Sequence, residues 1–273
     1  MPEDLHQIAP PPHRTWHRGG DRPVLALHCS LAHAGAWSGL AAALSGVTIT
    51  ATDAPGHGRA ADWLPGTDMH SLATAQSIAM AESLGHGRPI DLIGHSFGGT
   101  VALRIAVERP DLVRSLTLIE PVIFAAAKSV DAGAYDAFRT DHLGFGALVA
   151  AGDFQAAAAL FHSHWGSGEA LADLPERTCS YMVDRIHLIV EQNPTLLEDA
   201  AGVLRAGGLE AVDVPVLLIE GATSPAIIDA IHRALAQRLP QATRLVVPGA
   251  GHMVAISHAA EIAPAVQAHL DGA

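Results

Sequence analysis

Gly94-His95-Ser96-Phe97-Gly98-Gly99 is the stretch on which the reading of this chain turns. It stands between the apolar run at residues 90–93, which reads as a strand, and Phe97–Glu108, which reads as a helix closed by Arg109-Pro110. A serine with glycines two positions to either side, at a strand-to-helix junction, is G-x-S-x-G in the setting that gives the pattern its meaning. Ser96 then occupies a sharp, strained turn, and glycines at 94 and 98 remove side chains that would collide across it. The hydroxyl projects above the strand ends, near a helix N-terminus whose dipole favours developing negative charge. The bland alternative is a glycine-rich turn with an incidental serine; the strand-turn-helix setting decides for an exposed nucleophile.

Working outward, runs at 24–28, 47–51 and 115–119 read as strands. They alternate with helical patterns at 34–44 and at 69–84, where Leu72, Ala75, Ile78 and Ala79 recur at helical spacing. Such alternation predicts parallel strands joined by crossovers, with helices on both faces of one sheet. The rhythm breaks after Pro121. From about residue 122 to 208 the patterns are helical, 153–161 and 181–190 being the clearest, with no convincing strand. It resumes with a strand at 214–219, a helix at 225–239, a strand at 243–247 and a last helix at 261–269. The predicted organisation is an α/β core over 1–121 and 209–273 with a helical cap inserted at 122–208. The three prolines at 10–12 read as an extended lead-in.

A second motif, Asp53-Ala54-Pro55-Gly56-His57-Gly58-Arg59, follows the strand at 47–51. Together with residues 94–99 it resembles the α/β-hydrolase superfamily, and the resemblance covers nearly all of the chain after about residue 20. It implies a mostly parallel, eight-strand-like central sheet with helices on both faces and an inserted helical cap. D-x-P-G-x-G is a structural loop in that family, so His57 is not expected to be catalytic; Ala60 stands where members usually carry serine. The resemblance makes Ser96 the nucleophile. It makes His252, in Gly249-Ala250-Gly251-His252-Met253 after the last strand, the base that takes and returns its proton. It also implies an oxyanion hole built from the backbone N–H groups of Phe97 and Ser30. Ser30 lies in His28-Cys29-Ser30, where the family usually reads H-G-x; Cys29 in place of glycine is a departure, and His28 is read as a structural histidine that hydrogen-bonds this loop.

The acid departs further. Family members usually place an aspartate a few residues after the strand corresponding to 214–219. This chain reads Glu220-Gly221-Ala222-Thr223-Ser224-Pro225, with Ser224 at the expected position. Some members supply the acid from the end of the preceding strand, and here the strand at 115–119 ends in Glu120-Pro121. A carboxylate leaving a strand's C-terminal edge lies on the same rim as Ser96. Glu120 is therefore the favoured acid, Glu220 the runner-up, and a purely structural strand-end carboxylate the alternative. In the insertion, Phe161 to Trp165 and Tyr181-Met182 are candidates to line a pocket or simply to pack a core, as is Trp37 after the oxyanion loop.

Composition bounds the function classes. A chain of 273 residues, 49% hydrophobic and 16% charged, suits one α/β unit burying roughly three quarters of its unfolded surface. The formal net charge is -12 and Lys128 is the single lysine, so there is no basic footprint for nucleic acid and no polybasic membrane anchor. No apolar run reaches the length of a membrane span, and the acidic, proline-rich start lacks the basic and apolar segments of a secretory signal. A cytoplasmic location is expected. Cys29 and Cys179 have neither CxxC nor zinc-type spacing and are expected to be reduced thiols. His162, His164 and His258 lack an H-E-x-x-H or a third ligand at telling spacing, so no metal or other cofactor is expected.

The expected function is hydrolysis of a small-molecule ester or related carbonyl compound through a Ser-His-acid triad and an acyl-enzyme. Family members that open epoxides or displace halide use aspartate as nucleophile, which disfavours those reactions. Diketone C–C hydrolysis, lactone or thioester hydrolysis and peracid formation stay open. So does a non-catalytic small-molecule-binding protein on the same fold, and so does assembly into a homo-oligomer.

Overall fold

Apolar residues along the sheet strands alternate between two cores, which is why the sheet needs cover on both faces. Leu25 and Leu27, Leu92, Leu116 and Leu118, and Val216 and Leu218 enter one core; Val24 and Ala26, Ile93, Ile119, and Leu217 and Ile219 enter the other. The computed structural model describes residues 10–273. The reading of the extreme N-terminus as lacking a secretory signal falls mainly on residues 1–9, outside the described residues.

In chain order the strands are β1 (His13–Leu27), β2 (Val47–Thr52), β3 (Ile90–His95), β4 (Val113–Ile119), β5 (Val216–Gly221) and β6 (Ala242–Val247). The helices are α1 (Ser38–Ala43), α2 (Met69–Gly85), α3 (Phe97–Glu108), α4 (Ala132–Ala150), α5 (Phe154–Trp165), α6 (Glu176–Arg185), α7 (Asn193–Glu198), α8 (Ala226–Arg238), α9 (Val254–Ser257) and α10 (Ala259–Asp271). The strands form one sheet in the order β2-β1-β3-β4-β5-β6. Helices α2, α3 and α8 pack on one face, and α1, α9 and α10 on the other. This is the α/β architecture expected, a parallel central sheet with an inserted helical region.

The strand count differs from eight. β1 is bent into two arms around β2: residues 13–18 pair with Thr52 back to Val47 in falling register, the antiparallel sense, and residues 22–27 pair with Val47 to Thr52 in rising register. Gly19, at φ 85°, starts the bend, and at Gly20 any side chain would strike the Gly46 carbonyl. The first arm is mostly exposed and carries histidine, arginine and threonine, so no apolar run marked it as a strand. The helix expected at 34–44 is likewise broken, a 3-10 turn at Ala34–Trp37 preceding α1.

Between β4 and β5 the described chain is entirely helix, turn and loop, α4 to α7. Its own apolar cluster joins Phe145, Ala157, Met182, Ile186 and Ile189 to Leu31 of the core. Among the described residues no helix is long and apolar enough to cross a membrane. Cys29 and Cys179 are both free thiols.

Candidate active site

The turn from β3 into α3 holds Ser96 at φ 55° and ψ −119°, a backbone region that L residues rarely enter. The turn closes only because its neighbours lack side chains. A Cβ on Gly94 would lie 2.4 Å from the Gly98 carbonyl oxygen, and one on Gly98 would lie 2.3 Å from that of Leu27. The Ser96 N–H donates to the Ile119 carbonyl at 2.9 Å, which ties the turn to the end of β4.

The residue that follows β4 is Glu120, also at positive φ (50°) and fully buried. Its N–H donates to Ile219 of β5 at 2.9 Å, so the carboxylate emerges over the strand ends beside Ser96. One oxygen, Oε1, accepts from the Gly221 N–H and from the Ser224 hydroxyl, each at 2.6 Å. The other, Oε2, faces His252 Nδ1 at 2.8 Å. His252 Nε2 lies 3.0 Å from Ser96 Oγ. Ser96, His252 and Glu120 thus stand in one hydrogen-bonded line, with the serine at its open end. Burial pushes the Glu120 carboxyl up, but the hydrogen bond and charge of His252, with the donors Ser224 and Gly221, outweigh it and hold the group below the usual carboxylate range.

Glu220, the runner-up acid, is taken elsewhere. Its carboxylate pairs with Arg244 and lies 3.8 Å from His232 Nδ1, and no hydrogen bond joins it to His252 among the described residues. Burial raises its carboxyl, against the pull of Arg244. Ser224, where the family's aspartate was sought, is instead a donor to Glu120.

His28 stitches the loop after β1 in place. Its Nδ1 bonds the Cys29 carbonyl at 2.7 Å and its Nε2 accepts from the Ala54 N–H at 2.9 Å. His57 packs 5.5 Å from His28, with Nδ1 on the Pro55 carbonyl, away from Ser96. Neither the Ser30 nor the Phe97 N–H donates to a protein acceptor among the described residues. Phe97 is the first residue of α3, so its N–H sits at the positive end of that helix.

Of the residues that border the site, His95 and Gln192 are not singled out by the sequence, whereas Trp165 and Tyr181 are candidate pocket residues whose partners it does not show. His95, inside the motif, bonds the His252 carbonyl through Nε2 at 2.8 Å; burial lowers its imidazole to about 3, so it stays neutral and anchors the loop that carries His252. Trp165 of α5 meets the His252 ring edge-on, centroids 4.6 Å apart. Gln192, buried in the insertion, accepts from the Ser30 hydroxyl at 2.8 Å. The Tyr181 hydroxyl donates to the Ala32 carbonyl at 2.9 Å and accepts from the Gly58 N–H at 2.8 Å. The insertion is therefore tied to both loops that border Ser96. Only proximity in the folded chain links these pairs; their spacing in sequence is arbitrary.

A cavity of about 1050 Å³ opens over Ser96 and His252 between the sheet and the insertion. Phe161, Trp165, Tyr181 and Met182 line it, whereas Trp37 packs with Leu40 in the core below. Its size suits an organic substrate of moderate length. No group of three or more histidine, cysteine, aspartate or glutamate side chains is placed to hold a metal ion among the described residues.

Comparison with known proteins agrees with this architecture. The lipase LipV of Mycobacterium tuberculosis is 38% identical over 107 residues, 38% of this chain and 39% of that protein, so the chain spans about two fifths of that relative's length. The pimeloyl-[acyl-carrier protein] methyl ester esterase of Neisseria meningitidis serogroup A is 28% identical over 243 residues, 82% of this chain and 68% of that protein. Among solved structures, a hydrolase from Pseudomonas aeruginosa PA01 superposes with a TM-score of 0.70 at 21% identity, over 94% of this chain and 93% of that one, and shares the fold. The profile described as the alpha/beta hydrolase fold matches residues 22–259. The chain belongs to the alpha/beta hydrolase family.

Proposed function

We propose that this chain is a serine hydrolase that cleaves an ester or related carbonyl substrate by way of an acyl-enzyme. The observation that carries the reading is the unbroken line from Ser96 Oγ through His252 to Glu120 Oε2, at 3.0 and 2.8 Å, on the floor of a cavity large enough for a substrate. The relatives named as a lipase and as a methyl ester esterase support the same class.

The chemistry follows from the geometry. Ionised Glu120 accepts the Nδ1 proton of His252, which leaves Nε2 as the acceptor facing Ser96. His252 takes the hydroxyl proton as Ser96 Oγ bonds to the carbonyl carbon. The oxyanion is held by the N–H groups of Phe97 and Ser30. His252 then hands the proton to the leaving oxygen, the carbon–oxygen bond breaks, and the acyl group stays on Ser96. Water, deprotonated by the same imidazole, attacks the acyl-enzyme; collapse returns the proton to Ser96 and frees the acid. Residues 122–208 act as a cap that walls the acyl group from bulk water.

The test is hydrolysis of short- and medium-chain p-nitrophenyl esters by the wild type and by Ser96→Ala, with fluorophosphonate labelling of both. Removing a triad member costs on the order of 10⁴-fold in turnover. Turnover and labelling that both vanish in Ser96→Ala support the reading. A wild type that neither turns over ester nor takes the label would be a small-molecule-binding protein on this fold.

A further inference from the structure

The cavity over Ser96 runs against the charge of the chain. Aspartate and glutamate outnumber lysine and arginine by 28 to 16, yet the charged carboxylate and guanidinium groups lining the cavity are Arg14, Arg59 and Arg177 against Asp53 alone. Asp53 is already engaged. It is buried, and its carboxylate accepts from the Ala34 N–H at 2.7 Å, the Arg59 N–H at 3.1 Å and Arg59 Nε at 3.4 Å. Arg59 is engaged with it, and its Nη2 donates to the His13 carbonyl at 2.6 Å.

That leaves Arg14 and Arg177. Neither has a carboxylate within 4.0 Å nor a hydrogen bond to a protein acceptor among the described residues. Most other cations here do have carboxylate partners: Arg22 and Arg114 on Asp91, Arg109 on Glu82 and Asp111, Arg238 on Glu210, Arg244 on Glu220 and Asp229. These two cavity guanidiniums, without a carboxylate partner among the described residues, come from different parts of the fold. Arg14 comes from the first arm of β1, over Trp16 at 5.0 Å, and its Nη1 approaches Gly35 in the turn after the oxyanion loop. Arg177 stands in the first turn of α6, in the insertion. Both are exposed whereas Ser96 and His252 are buried, so they line the solvent-accessible part of the cavity.

A guanidinium presents planar paired donors that match a carboxylate or a phosphate, and two of them lining one cavity focus a positive field. We infer that this cavity selects substrates carrying an anionic group, a carboxylate or a phosphate, at the end remote from the scissile bond, met by the guanidiniums of Arg14 and Arg177 that line it. The inference rests on the hydrolase reading for its reaction but not for its binding.

Two p-nitrophenyl esters of equal chain length separate the cases: the neutral valerate and the glutarate monoester, whose far end is a carboxylate. The wild type is expected to favour the glutarate ester in kcat/KM by about tenfold or more, and Arg14→Gln and Arg177→Gln each to erase about tenfold on that ester while changing the valerate by less than about twofold. Raising the salt concentration should erode the preference. Thermal shifts with glutarate and with phenyl phosphate read the anion site without turnover, and the stronger of the two identifies the anion. Equal rates on both esters in the wild type, or arginine variants that lower both rates alike, would overturn the inference. So would thermal shifts that do not depend on the arginines. A protein inert to both esters and to fluorophosphonate, yet stabilised by an anion only when Arg14 and Arg177 are present, would instead overturn the hydrolase reading.

Discussion

Replacing Glu120 by glutamine tests the relay at the point where it is most constrained. The side chain keeps its size, but its two ends become different. One end faces the Gly221 N–H, a donor that cannot rotate away, so the amide oxygen must take the position of Oε1. The NH₂ group is then forced against His252 Nδ1, at the place where Oε2 stood 2.8 Å away. Two donors cannot share that contact. His252 must give up its Nδ1 proton and carry one on Nε2, aimed at Ser96 Oγ 3.0 Å away. In that tautomer the imidazole cannot accept the serine proton. The corresponding loss in a serine protease triad is about 10⁴-fold in kcat, equivalent to about 5.5 kcal/mol of barrier. Glu120→Gln should therefore lose about four decades of kcat on a p-nitrophenyl ester, with KM little changed and the fold intact by circular dichroism. Glu220→Gln, which alters the contacts with Arg244 and His232 but none with His252, should stay within about twofold of the wild type. A Glu120→Gln enzyme within about tenfold of the wild type, or a dead Glu220→Gln, would refute this account.

Acid should unfold the protein early. Burial lowers the imidazoles of His28 and His232 to about 4 and those of His57, His70 and His95 to about 3, so the folded state refuses protons that the unfolded chain takes near 6.5. This stabilisation is complete above 6.5 and is lost as pH falls toward the folded values. Over the first pH unit below 6.5 each group removes about 1 kcal/mol, so the five together remove about 5 kcal/mol. Urea midpoints measured against pH should show that slope, and a flat profile across the unit would contradict it. Trp165 and Phe161 also border a second cavity of about 230 Å³. Trp165→Ala should join it to the main one and move the best acyl chain to greater length, whereas an unchanged chain-length profile would show that Trp165 is not the partition. In a Glu120→Ala background, Ser224→Asp puts a carboxylate beside the space that Oε1 leaves, since the Ser224 hydroxyl touches that oxygen, and should recover at least about tenfold of the lost turnover; a double variant as inert as Glu120→Ala alone would show that position 224 does not reach His252.

What was legible in the sequence depended on how local its cause is. The β3–α3 turn was readable because glycine, serine and glycine within five residues answer one steric problem, as the Gly94 and Gly98 contacts show. The proximity of Glu120 to Ser96 was readable because neighbouring parallel strands end on one rim. The choice between two strand-end carboxylates was harder. What separates them in the fold is Arg244, which pairs with Glu220, and Ser224, 104 residues away, which donates to Glu120. Gln192 on Ser30, across 162 residues, had no signature at all. The first arm of β1 escaped because an edge strand with exposed, polar faces has no period to detect. Helix α4 stayed faint because Gly133, Gly144 and Gly146 dilute its helical propensity and only Tyr135 and Phe145 are buried along it.

The backbone of Ser96, held at φ 55° by its surroundings, sets an evolutionary tension. Glycine at that position would enter the same conformation freely, recovering strain on the order of 1–3 kcal/mol. A population of variants selected for heat resistance alone would drift toward glycine at residue 96 and fall silent. Under the proposed serine mechanism, serine would persist there only while turnover itself is under selection. On that reading the strained turn is a stability cost that only catalysis would maintain.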